Sequence, residues 1–171
     1  ERYAFEQAVE EVNAAGGIDG KLVELVIYDN AYDQAKAVQN TEKLIEDGVV
    51  AILGSATSGM TLAIAPLAKD NGLVVFTPSG TNSAVTMDGT VVNPWAFRAC
   101  FIDPFQGQVL ANFASKDLAA TKAVVMVNSG SEYSKELARI FEEQFTKNGG
   151  TVVTTASYAD ADTDYKASLT S

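Results

Sequence analysis

The sequence has 171 residues and a net charge of −10, with 12 basic residues, 22 acidic ones and no histidine, and 47% of it is hydrophobic, enough to fill the core of one large domain or two small ones. The scattered basic residues exclude nucleic acid as a partner, because phosphate binding needs clustered Lys and Arg. The lack of histidine excludes a Ser-His-Asp triad and the usual zinc sites within this chain, and a single cysteine, Cys100, excludes an internal disulfide and a cysteine-based metal cluster.

No apolar run approaches the roughly 20 residues that cross a bilayer, so direct membrane insertion of this segment is not expected. Residues 1–20 also lack the basic start and apolar centre of a signal peptide. Cys100 lies in the apolar stretch "WAFRACF" and reads as a buried structural thiol.

Along the chain, helix-period segments alternate with short apolar runs, the signature of parallel sheets wrapped by helices. Ala4, Phe5, Ala8, Val9 and Val12 mark one helical face that ends at Gly16 and Gly17. "LVELVIY" reads as a strand. Asp33 caps a helix running to about Asp47, and Val49 to Leu53 is the next strand. A helix from about Ser58 to Asn71 leads through Gly72 into a strand over Leu73 to Phe76. A short helix after Thr81 and a loop around "MDGTVVNP" precede a strand in "WAFRAC".

Asp103 followed by Pro104 reads as an N-cap with proline at the first helical position, opening a helix to about Leu118. The alternation then restarts: "AVVMV" is a strand, Glu132 to Lys147 a helix, "TVVTTASY" a strand, and Asp164 a last helical start. The pattern predicts two similar lobes, 1–101 and 102–171, with the boundary near Phe101 to Asp103. The first helix starts without a capping residue and the last is barely two turns long, which reads as an incomplete fragment lacking the first strand of its first lobe.

Several motifs have two readings. "GSATSGMT" places Gly54 and Gly59 at the spacing of a phosphate loop, but Met60 stands where the lysine belongs, so nucleotide hydrolysis is disfavoured while anion binding at the helix start survives. Asp160, Asp162 and Asp164 alternate as in a calcium loop, yet Tyr165 and Ser171 replace its glycine and glutamate, and an acidic loop with a helix cap is the better reading. Asp29 and Asp33 could be paired carboxylates, but a strand end and an N-cap describe them more simply. The stretch "VVFTPSGTNSAVT" and the similar break in "VVAILGSATSGMT" both turn from apolar strand into glycine and hydroxyls at the carboxyl ends of strands, where ligands of parallel sheets bind. Ser58, Ser79 and Thr81 offer small donors there, beside two helix starts with unpaired N–H groups, which together suit a small carboxylate.

These residues also carry a family resemblance. "AVEEVNAAGGIDGKLVELVIYDNAYDQAKAVQNTEKLI", "GVVAILGSATSGMTLAIAPLAKDNGLVVFTPSGTN", "FRACFIDPFQG", "YSKELA" and "DTDYKASLT" resemble the branched-chain amino-acid-binding proteins, the leucine/isoleucine/valine type of periplasmic binding protein that feeds ABC transporters. The resemblance implies two Rossmann-like lobes that close on an amino acid, without catalysis and without a cofactor. By position, it implies that Ser58 and Thr81 bind the ligand carboxylate, that the backbone carbonyl at Ser79 accepts from the ligand ammonium group, and that Tyr133 closes over the ligand from the second lobe. Ser134 follows the tyrosine where the family usually has glycine. An extracytoplasmic location, periplasmic or as a cell-surface lipoprotein, and a membrane permease as partner are implied in the same way. The alternative function is a sensor domain of the same fold in a receptor or repressor.

Overall fold

The computed structural model describes residues 2–170. Its first helix, α1 (Arg2–Ala14), ends in a turn where Gly16 and Gly17 adopt φ of 102° and 78°. Both lie in the region that suits glycine. The apolar face expected of α1 is not buried among the described residues; Phe5 and Val9 are half-buried and Ala4, Ala8 and Val12 exposed. The "LVELVIY" segment likewise forms no β-ladder, although Asn13 anchors it by donating to the Val23 carbonyl and accepting from the Val23 N–H, both at 2.8 Å. This corrects the expected strand. A cavity lined by Phe5, Val23, Leu25 and Ile27 also borders β1, the edge strand of the first sheet, so the segment has no neighbour with which to exchange hydrogen bonds.

Helix α2 (Gln34–Glu46) starts where Asp33 accepts from the Lys36 N–H at 2.8 Å. Strand β1 (Ala51–Leu53), helix α3 (Ser58–Asp70) and strand β2 (Val74–Thr77) follow. A single 3₁₀ turn (Ser83–Val85) and a small antiparallel hairpin of β3 (Met87–Asp88) and β4 (Val91–Val92) lead to β5 (Ala96–Arg98). The hairpin replaces the loop expected around "MDGTVVNP". Strands β1, β2 and β5 form one parallel sheet in that order. Ile52 and Val75 from this sheet pack with Ala37, Met60, Ile64, Ala68 and Leu73 into the main buried cluster.

Helix α4 (Asp103–Asn112) continues as a wider π turn over Phe113–Asp117, which brings the helical segment to the length expected. Its N-cap is Ile102, not Asp103, and the Asp103 side chain is buried instead of capping. Strand β6 (Lys122–Asn128), helix α5 (Glu132–Lys147) and strand β7 (Thr151–Tyr158) form a second parallel unit, with a register shift between Ala123 and Val124. A last turn, α6 (Lys166–Thr170), begins where Asp164 accepts from the Lys166 N–H at 3.0 Å. Cys100 is half-buried, not fully buried as expected.

Helices α4 and α5 meet at Gly107, where an added Cβ would lie 2.8 Å from the Ile140 Cβ and 2.7 Å from its Cγ2. Neither helix backbone can yield cheaply. In the full-length protein Gly107→Ala is therefore expected to cost about 1–3 kcal/mol of stability, read as a lower urea midpoint. An unchanged midpoint would mean that the helices part freely here.

Candidate functional site

Strands β1 and β2 run parallel, so their carboxyl ends deliver two loops to the same edge of the sheet. The first loop opens α3. Its N-cap Thr57 makes no side-chain capping bond, which leaves the first N–H groups of the helix turned to the space in front of it. The second loop, residues 78–83, is folded back by hydrogen bonds. The Thr77 hydroxyl accepts from the Gly80 N–H at 3.0 Å and donates to the Ser55 carbonyl at 2.6 Å, and the Ser79 hydroxyl donates to the Ala56 carbonyl at 2.6 Å. The Ser58 hydroxyl accepts from the Asn82 N–H at 3.1 Å. The two loops thus hold each other.

A cavity of about 720 Å³ lies in front of them, within the roughly 300–1,000 Å³ of small-molecule sites. Ser58, Ser79, Thr81 and Tyr133 all line it. The cavity brings the three residues of the hydroxyl-rich loops together with Tyr133, which the family resemblance added. Ser58 and Thr81 are 2% and 7% exposed, whereas Tyr133, in the first turn of α5, is half-exposed and its hydroxyl accepts from the Gln106 side-chain amide at 3.1 Å. Ser134, at the departure from the family pattern, serves the local structure. Its hydroxyl accepts from the Asn128 N–H at 3.0 Å and ties α5 to the end of β6.

The sequence pattern does not reveal several other residues of the site. Thr57 lines the cavity with a buried hydroxyl that has no hydrogen-bond partner among the described residues. Its place at a helix start was visible, but its burial was not. Gln106 reaches Tyr133 from α4, and Arg98 braces the second loop by donating to the Gly80 carbonyl at 2.6 Å and to the Thr86 hydroxyl at 2.7 Å. From α5, the Glu132 carbonyl accepts from the Asn82 side-chain amide at 3.0 Å, and the Glu136 carboxylate from the Ser83 N–H at 2.8 Å.

Asp33, Glu132 and Asp160 line the cavity and, among the described residues, no Lys or Arg does, so the donors offered to an anion there are neutral groups and helix starts. Asp33 caps α2, Asp29 accepts from the Ala31 N–H at 2.8 Å, and Asp160 accepts from the Asn128 side chain. Asp33 is the N-cap that the simpler reading gave it, while Asp29 closes a turn and not a strand end. Asp162, similarly, accepts from the Ala159 N–H at 2.7 Å.

Across residues 1–171 the sequence matches the pattern of the periplasmic binding proteins. The chain belongs to the periplasmic binding protein family. This periplasmic binding protein is 32% identical over 165 residues to Leu/Ile/Val-binding protein homolog 3 of Brucella melitensis, covering 96% of this chain and 44% of the relative. Among solved structures it resembles the branched-chain amino acid transporter substrate binding protein LivJ from Streptococcus pneumoniae in complex with isoleucine, at 37% identity and a TM-score of 0.85, over 96% of this chain and 46% of the other. The leucine binding protein LivK from Thermotoga maritima is similar at 34% identity and a TM-score of 0.87, over 95% and 45%. The chain thus spans less than half the length of these relatives, and its α/β fold of parallel sheets and flanking helices is theirs.

Proposed function

We propose that the protein containing this chain is an extracytoplasmic solute-binding protein that captures an aliphatic amino acid, of the leucine, isoleucine or valine type, and delivers it to an ABC transporter permease without catalysing a reaction. The observation that carries this reading is the convergence of Ser58, Ser79, Thr81 and Tyr133 on one cavity without a lining cation. In it, Ser58, Thr81 and the open start of α3 take the ligand carboxylate, the Ser79 carbonyl accepts from the ammonium group, and Tyr133 closes over the ligand. Residues 1–101 are the first lobe and residues 102–171 the beginning of the second. The first sheet lies wholly before this boundary and the second wholly after it. The names of the relatives support the ligand class.

Calorimetric titration of the full-length protein with leucine, isoleucine and valine tests this, with glutamate and glucose as controls. Saturable binding of at least one aliphatic amino acid is expected, with no heat from glucose. Binding of a sugar alone would overturn the reading.

A further inference from the structure

Asp103 is fully buried, and neither of its carboxylate oxygens makes a hydrogen bond among the described residues. A buried carboxyl without partners is costly unless it is neutral. Its backbone N–H donates to the Thr81 carbonyl at 3.0 Å, so the side chain sits directly behind the residue assigned to the ligand carboxylate. Three side chains act on it. The Thr81 hydroxyl faces it from the second ligand loop, the Glu136 carboxylate from α5 and the Arg98 guanidinium from β5. Arg98 is committed to Gly80, Ser83 and Thr86, and Glu136 accepts from the Ser83 N–H through Oε2 while its Oε1 stands 4.0 Å from Arg139.

We propose that Asp103 is a positioning residue that controls the donor direction of the Thr81 hydroxyl, an inference that rests on the amino-acid-binding reading of this cavity. When Asp103 is protonated, its O–H donates to the Glu136 carboxylate and the Thr81 hydroxyl turns outward to donate to the ligand carboxylate. When Asp103 is ionised, its carboxylate claims the Thr81 proton and the ligand loses that donor. The Asp103 O–H bond is the one that breaks, its proton passing to solvent water and returning on reprotonation, while Thr81 keeps its own proton throughout.

Burial, with the Glu136 charge adding to it, pushes the Asp103 carboxyl up to about 6 from its usual 3.8, against the opposing pull of Thr81 and Arg98. The switch therefore falls between pH 5 and 8. The folded form holds a proton that an unfolded chain has lost, so the stability it contributes is complete below pH 4 and lost as pH rises through 6.

The test is calorimetric titration of the full-length protein with leucine from pH 5 to 8, alongside urea unfolding without ligand. Wild-type affinity is expected to fall about tenfold or more across the range, the worth of one hydrogen bond to a charged group. Asp103→Asn, permanently neutral, should bind with a flat pH profile and unfold at higher urea than wild type at pH 8 but not at pH 4. Glu136→Gln should keep the slope but move its midpoint to lower pH, because the neighbouring charge is gone. A flat wild-type profile, or a slope that persists unchanged in Asp103→Asn, would overturn the proposal. Failure of leucine, isoleucine and valine to bind at any pH would instead sink the amino-acid reading. The ligand-free unfolding comparison reads Asp103 ionisation in either case: equal pH dependence of wild type and Asp103→Asn overturns the switch.

Discussion

Thr81→Val is expected to weaken amino-acid binding by roughly 10- to 150-fold, the range for losing one hydrogen bond to a charged group. Valine keeps the branched shape, and the side chain is only 7% exposed, so the packing around it should change little. The backbone link from the Asp103 N–H to the Thr81 carbonyl survives the substitution, which keeps the loop in place. The loss should be similar for leucine, isoleucine and valine because the carboxylate is common to all three. It should also be larger at pH 5 than at pH 8, where ionised Asp103 already competes for the hydroxyl. Titration calorimetry of the full-length variant checks both statements. Affinity within twofold of wild type at both pH values, in a normally folded variant, would return Thr81 to the standing of an ordinary turn residue.

The second large effect is on dissociation. Tyr133→Ala should raise the ligand off-rate on the order of 30-fold, corresponding to about 2 kcal/mol for a well-placed aromatic contact, while the on-rate changes far less. The ring is 38% exposed and, among the described residues, its hydroxyl engages only the Gln106 side chain, so truncating it should leave the thermal midpoint nearly unchanged. Tyr133→Phe separates the parts played by ring and hydroxyl, and should recover most of the slow dissociation if closure depends on the ring. Stopped-flow fluorescence on the full-length protein measures the rates. Unchanged dissociation with a lowered melting temperature would assign Tyr133 to packing within its own helix.

Much of the architecture was legible because its signals are local. The Asp33 cap of α2, the limits of α5 and the run of β7 follow from periodicity and capping within a few residues. The errors arise where a neighbour decides. "LVELVIY" has strand composition, but a strand exists only by pairing, and a cavity lies between it and β1. Asp103 before Pro104 has the local look of a cap, yet the chain turns one residue earlier at Ile102 and carries the carboxyl inward.

The sequence by itself determined the α/β alternation, the placement of hydroxyl-rich loops after strands, and Ser58, Ser79 and Thr81 within those loops, because each depends on residue order and short spacing, whereas Tyr133 came from the family resemblance. Only the tertiary structure decided what surrounds them: the buried hydroxyl of Thr57, the hold of Gln106 on Tyr133, and the grouping of Thr81, Asp103, Glu136 and Arg98 behind the second loop. Most of those contacts join residues far apart in the chain. Burial and hydrogen bonding at such separations come from the packing of α4 and α5 against the first sheet's loops, and charge in a desolvated place follows from that packing and not from the residue alone.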